Sequence, residues 1–473
     1  MHLPIAKKEL VESFLSARFV ISSLVSVLLV TTTIIVLTGS YEEQFHDYQS
    51  RVRQQDQFID QYGHYNRLGW MSRMMRPPSY FQVLVLGIDR EAQQDNFISN
   101  PVAALLSRLD FVTIVTIIFS LMAILFSYDA ISGEREAGML RQLLAVGASR
   151  RSIVLGKFLG GLASVLIPFT IGVLAGLLYI ALNPAIQLRG PDFALFGYLL
   201  LASWLFISTF FGLGLLFSST SRTSGQSILK SLFAWVILVL VIPNISPFLA
   251  AELYTIPSAA KIEQETSAMM DTERDEILRK KWREMLEVKY PDLKPIVALS
   301  RTEIESRIKI DPALRARYDL YSREYEEIIT LVNQDQRRKV EKVSETFNER
   351  SKSQERLAMI LTSLSPAANF VFIATDVSET GIEADNYWGR QSGEYQRQMG
   401  QYAEAQYQKE KEKNPAYDSN DYLNLRARPR FTYRPSSFAE RFIGTMPQLG
   451  VLVLFNLLFL SGAMAAFQRY DVR

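Results

Sequence analysis

Cysteine is absent from this chain, which excludes disulfides, thiolate metal sites and cysteine nucleophiles. Histidine is almost absent as well. The three that occur, His2, His46 and His64, are scattered and form no HExxH-like pair, so the residues give no support to a catalytic metal. An excess of one charge is also missing: Lys and Arg total 51 against 49 Asp and Glu, a formal net charge of +2 that supplies no electrostatic footprint for nucleic acid. A phosphate-binding loop is missing too. Its nearest approach is Gly156-Lys157, but Phe158 stands where Ser or Thr is needed, and Gly147 is too far upstream for GxxxxGK(S/T). The pair also opens an apolar run instead of following a strand. The chain therefore carries no nucleotide-hydrolysing motif, and no cofactor is expected within it.

What the sequence has in quantity is long uncharged apolar runs. About 20 apolar residues cross the hydrocarbon core, and six segments qualify: 20–39, 110–128, 159–184, 193–217, 231–251 and 447–467. None contains Lys, Arg or Glu in its interior, and Asp110 and Asp129 stand at the ends of the second, where a charge reaches the interface. The first run is too long for a signal peptide and has no convincing cleavage site, so it reads as a retained anchor. Six spans place both termini on one side. Lys7, Lys8, Arg18, Arg135, Arg141, Arg150, Arg151, Lys157, Arg222, Lys230, Arg469 and Arg473 gather there, whereas the short loop opposite holds only Arg189. The positive-inside rule makes the basic side the cytoplasm. The expected fold is an all-α polytopic membrane protein: six transmembrane helices plus a mostly helical extracytoplasmic domain containing a long helical hairpin.

The layout follows from these runs: an interfacial helix and first span (1–39), a first extracytoplasmic insertion (40–109), and spans two to five (110–251) with an amphipathic cytoplasmic helix at 130–155. A second extracytoplasmic insertion (252–446) and a sixth span with its tail (447–473) complete it. The N-terminal IAKKELVESFLSARF places Ile5, Leu10, Val11, Phe14, Leu15 and Phe19 opposite Lys7, Lys8, Glu9 and Glu12. It reads as a helix on the inner leaflet or as the polar cap of the first span. The first insertion begins helically at 41–64, and Pro77-Pro78 followed by 80–88 reads as a short strand.

In the second insertion, Met270, Ile277, Leu278, Trp282, Met285 and Leu286 keep helical spacing until Pro291 and Pro295. A further helical stretch, 312–364, would be about 75 Å long if unbroken. Its stripe Tyr318, Tyr321, Tyr325, Ile328 and Val332 slips between Asp335 and Lys339, then resumes at Val340, Val343 and Phe347. An antiparallel hairpin buries both stripes. Residues 363–376 are apolar and expected to fold back on the outer membrane surface, and 386–432 should give helices and then a loosely ordered link through Pro415, Pro429 and Pro435. The Tyr- and Gln-rich EYQRQMGQYAEAQYQKE is either a solvated helix face or a surface for a peptide or glycan.

The most informative stretch is DAISGEREAGMLRQLLAVGASRRSIVLGK, 129–157, between the second and third spans. Met139, Leu140, Leu143, Leu144 and Val146 form one stripe with Glu134, Glu136, Arg141 and Gln142 around it. Such a helix needs a partner surface. The succession Asp129, Gly133, Glu134, Arg135, Glu136, Gly138, Leu140, Leu143, Leu144, Ser149, Arg150, Gly156 and Lys157 resembles the coupling helix of type-2 ABC transporter permeases, with Met139 where that family usually has Thr. RPPSYFQVLVLGID, NPVAALLSRLDFVTIV, FAWVILVLVIPNISP and the ending FQRYDVR extend the resemblance along the chain. They are similar to a subgroup with a large insertion between the fifth and sixth spans, that of the gliding-motility and nitrous-oxide-reductase maturation permeases.

That resemblance implies a bacterial inner-membrane permease subunit, both termini cytoplasmic, paired with a second copy as a homodimer and driven by two copies of a separate ABC ATPase that holds ATP and Mg. Docking would fall to Glu134, Arg135, Glu136, Gly138, Leu140, Leu143 and Leu144. The carboxylates face basic residues of the partner, the leucines fill its apolar groove and the glycine allows close approach. Arg150, Arg151 and Lys157 would anchor to inner-leaflet lipid phosphates. The loop STSRTSGQS, 219–227, is either a second ATPase contact or a connector. Gly160, Gly161, Gly172 and Gly176 in the third span serve packing within the subunit or a dimer contact. Transport would be export or extraction. The alternatives are mechanotransmission to a periplasmic partner with nothing crossing the bilayer, and a membrane-anchored receptor or scaffold.

Overall fold

The computed structural model describes residues 2–68, 74–87, 110–145, 149–186, 188–414 and 417–469. Its helices in chain order are α1 (His2–Phe14), α2 (Ala17–Tyr62), α3 (111–127), α4 (Ser132–Glu136), α5 (Met139–Ala145), α6 (Arg150–Leu182), α7 (Gly190–Thr220), α8 (Ser224–Leu253), α9 (259–289), α10 (Arg301–Ile310), α11 (Pro312–Thr362), α12 (Pro366–Val377), α13 (Ile382–Lys413) and α14 (Phe438–Gln468). Among the described residues there is no strand, only an isolated bridge between His64 and Tyr422. Among the described residues six helices, α2, α3, α6, α7, α8 and α14, are long and apolar enough to cross a bilayer, the same six runs that hydropathy marks in the sequence. The chain divides into two compact units, Met1–Pro243 with Thr362–Arg473, and Asn244–Leu361.

Helix starts in the first unit are written locally. Asp110 caps α3 by accepting from the Thr113 amide at 2.8 Å, Ser149 caps α6, and Ser437 with Glu440 forms a capping box on α14. At the centre lies α7, with 72% of its apolar window buried, against 22% for α2. Its Phe206, Phe210 and Phe211 are fully enclosed, and Phe206 stacks on Phe370 of α12 with ring centroids 5.0 Å apart. Both α3 and α8 contain a π-helical stretch, at Ile114–Phe119 and Val236–Val241. Trp235 Nε1 donates to Ser120 Oγ at 2.7 Å between them.

Three expectations change. Residues 80–83 form a 3-10 turn and no strand, because among the described residues their backbone groups are taken up locally: Leu84 N donates to Phe81 O and Phe111 N to Leu84 O. The apolar run is buried all the same, with Phe81, Val83 and Val85 at 0% exposure; residue 88 lies outside the described set. The 363–376 segment becomes α12, whose Ala367, Phe370, Ile373 and Val377 enter the core of the bundle instead of covering its surface.

The link after α13 is also firmly held. Leu423 and Leu425 are buried with Ile59 and Met399, Leu423 N donates to Gly63 O at 2.8 Å, and the enclosed Arg428 guanidinium pairs with Asp56 and Asp60 of α2. The third-span glycines all face this chain's own helices. A Cβ on Gly160 would lie 2.5 Å from the Ala6 carbonyl of α1, one on Gly161 would strike Phe211, and Gly172 and Gly176 meet α2. Packing within the subunit accounts for them.

The second unit contains the expected helical hairpin. Near one end Met285 and Leu286 of α9 cluster with Tyr321, flanked by Tyr318 and Tyr325 of α11; towards the other, Ile262 and Met269 line a groove with Val343 and Phe347. The pairing is therefore antiparallel. Lys289 to Glu324 at 2.6 Å and Arg317 to Asp292 at 3.1 Å tie the Tyr321 end on its exposed side. With 51 residues, α11 runs about 77 Å.

Candidate functional site

The stretch singled out by its amphipathic pattern lies where the structure brings α1, the end of α14 and both candidate cytoplasmic loops together. Its helix is broken in two. Gly138 takes φ +73° between α4 and α5, a left-handed conformation that costs a side-chain-bearing residue about 1–2 kcal/mol. Among the described residues no atom lies within 4 Å of a Cβ built there, so what the glycine supplies is the turn.

The acidic and apolar residues of this stretch point in directions the sequence alone does not reveal. Glu134 is 9% exposed, and its carboxylate reaches Lys157 at 2.8 Å. Glu9 of α1 reaches the same Nζ at 2.8 Å, and Lys157 itself is only 2% exposed. One ammonium thus holds three segments together: α1, the start of α4 and the first turns of α6. This corrects two expectations. Glu134 is spent inside the chain instead of facing a partner, and Lys157 is no headgroup anchor, because its charge is enclosed between two carboxylates.

Leu140 is corrected likewise. At 1% exposure it packs with Ile131, Ile153, Val154, Leu215, Ala463 and Phe467, and Leu144 is half-buried against the same cluster. The Leu143 side chain and residues 146–148 lie outside the described set. Arg135 donates to the carbonyls of Ser221 at 2.6 Å and Ser219 at 3.3 Å. Arg150 donates to those of Phe467 and Gln468, at 3.1 and 2.6 Å, where a cation complements the carboxyl end of α14. Of the expected anchors, Arg151 is exposed.

The two loops form one hydrogen-bonded surface. Ser218 Oγ accepts from the amides of Ile131 and Ser132 at 2.9 and 3.0 Å, and Ser224 Oγ donates to Glu136 at 2.7 Å. Asp129 pairs with Arg18 of α2 at 2.8 Å. Among the side chains presented outward are Glu136, Gln142, Arg222 and Met139, the last 47% exposed. Sequence reasoning missed Glu9, Ser218 and Arg18 because each lies far along the chain from its partner. The one local signal was a lysine beside Gly160 and Gly161, small residues that admit a crossing helix. Among the described residues no group of His, Asp or Glu converges as a metal site would require.

The model of the ABC-2 family transporter protein matches residues 3–472. The chain belongs to this family. It is an integral membrane protein, with six helices of spanning length. Among curated relatives, the probable ABC transporter permease protein NosY of Pseudomonas aeruginosa is 34% identical over 120 residues, 24% of this chain and 44% of that protein. The like-named protein of Stutzerimonas stutzeri is 32% identical over 134 residues, 27% of this chain and 47% of that one. The chain thus spans about half the length of the curated relatives it matches. This family membership agrees with the resemblance read from residues 129–157.

Proposed function

We propose that this chain is the permease subunit of an ATP-binding cassette transporter, driven by a separate ATPase that docks on the joined loop surface. The observation that carries the reading is that surface itself: Glu136, Met139 and Gln142 stand exposed on a turn locked to α1, α6 and α7, while the chain has no nucleotide-binding motif. A lever suits this arrangement. A push on α5 is passed through Leu140 to α6, α7 and α14, because its packing partners belong to those helices.

The complex comprises two copies of this chain as a homodimer and two of the ATPase, which supplies ATP and Mg. It resides in the bacterial inner membrane with both termini cytoplasmic, and family analogy makes the direction export or extraction. The relatives' printed name, permease, supports the same role.

The test uses exposed residues only, since reversing the buried Glu134 would disturb the fold. Glu136→Lys with Met139→Asp should weaken copurification of the ATPase roughly tenfold or more while size-exclusion profile and melting temperature hold. Undiminished copurification would overturn the docking site. A second reading, mechanical work on a periplasmic partner, is favoured by one observation: α11 is 51 residues long and belongs to a unit distinct from most of the membrane bundle. In reconstituted vesicles that reading requires ATP hydrolysis without movement of any solute across the bilayer.

A further inference from the structure

We infer that the hairpin of α9 and α11 carries a binding groove for a single-chain amphipathic anion, an acyl chain ending in a carboxylate or phosphate. The groove has a volume of about 410 Å³, within the range of roughly 300–1,000 Å³ typical of small-molecule sites. Its floor is apolar: Ile262 and Met269 from α9 face Val343 and Phe347 from α11, all half-buried.

Its rim is cationic. Lys339, Lys342 and Arg350 line it against one carboxylate, Glu265. Lys339 is engaged by Asp335 at 3.1 Å, but among the described residues neither Lys342 nor Arg350 has an ion-pair partner. Two unpaired cations over an apolar trough complement a molecule that is apolar along its length and anionic at its head.

Two further features fit this occupant. Within the same unit, Gln354 Nε2 donates to the Tyr254 carbonyl at 2.7 Å, one residue past the spanning helix that ends at Leu253. Pro257, which lines the groove, follows three residues later, so the trough lies at the end of the hairpin that continues from the spanning helix, the end a membrane amphiphile reaches first. Met269 also begins a π-helical stretch, Met269–Glu273, a local distortion of the helical ladder of the kind often retained at binding sites. The proposal concerns binding alone and stands whether or not the chain transports anything.

The test labels the full-length protein in phosphatidylcholine nanodiscs with diazirine-bearing palmitate, the matching lysophosphatidate and the matching neutral alcohol. Both anions should crosslink to the peptides bearing Met269 and Val343, and the stronger of the two identifies the head group. The alcohol should label these peptides about tenfold less, and Lys342→Glu with Arg350→Glu should reduce anion labelling about tenfold without changing that of the alcohol. Both side chains are exposed, so reversal leaves the fold intact, as helical content by circular dichroism should verify. Val343→Trp fills the trough and should reduce all three probes. Labelling spread over the spanning helices without enrichment at these peptides, or labelling indifferent to head-group charge, would overturn the proposal.

Discussion

At the scale of single residues, Lys157 decides how the loop end of the bundle is built. A lysine enclosed to 2% exposure is sustained only because two carboxylates stand at 2.8 Å. Enclosing the ions costs several kcal/mol each, so the triad adds little net stability over an apolar replacement, but breaking it is expensive. Lys157→Met should destabilise the protein by about 3–5 kcal/mol, since it strands Glu9 and Glu134 together; the triple replacement Glu9→Leu, Glu134→Leu, Lys157→Met should recover most of that loss. Thermal unfolding in detergent reads both. A single variant as stable as the parent would show that the ammonium is not what joins α1 to the loop. The sequence displayed Lys157 as the last cation before an apolar run, a pattern that fits a lipid anchor equally well. Glu9, 148 positions away, left no mark beside it.

At the scale of elements, periodicity carried most of the information. The six spans were legible because roughly 20 apolar residues have few other uses. The hairpin was legible because two stripes in a polar insertion must bury each other. The slip between Asp335 and Lys339 was visible too, and the structure gives its cause. Gln336 occupies the seam there at 0% exposure, and among the described residues neither its amide oxygen nor its nitrogen has a hydrogen-bond partner. A buried amide without partners costs about 1–3 kcal/mol. Gln336→Leu should therefore stabilise the hairpin by about 1–2 kcal/mol. Hydrogen exchange of the amides of α11 would register it as slower opening, and unchanged or faster exchange would contradict it. The break in α4–α5 was less legible. A continuous amphipathic pattern runs across Gly138, and only its left-handed φ divides the helix and turns Leu140 inward.

At the scale of the whole molecule, what composition hid was the route by which the chain returns to its sixth span. Residues 417–437 are poor in aliphatics and rich in proline neighbours, a pattern that suggests a slack link, yet Leu423 and Leu425 are buried and Arg428 is clasped by Asp56 and Asp60. The signal was present as two leucines at strand spacing and one arginine, too sparse to outweigh the surrounding polarity. The clasp has a mechanical consequence. Helix α2 is continuous for 46 residues, so its far end moves with its spanning part; the link fastened to that end leads directly into α14. The first and sixth spans are thereby joined at both ends, by this clasp and, at the loop end, through α1, Lys157 and the cluster around Phe467. Arg428→Ala removes the charged hydrogen bonds, and with both aspartates about one-third exposed to water the loss should be moderate, about 1–3 kcal/mol. The effect should be local: trypsin should cut at Arg426 and Arg430 in the variant and spare them in the parent, while the spans unfold at an unchanged temperature. If the link resists trypsin equally in both proteins, the fastening lies in the buried leucines instead, and Leu423→Ser with Leu425→Ser should then release it.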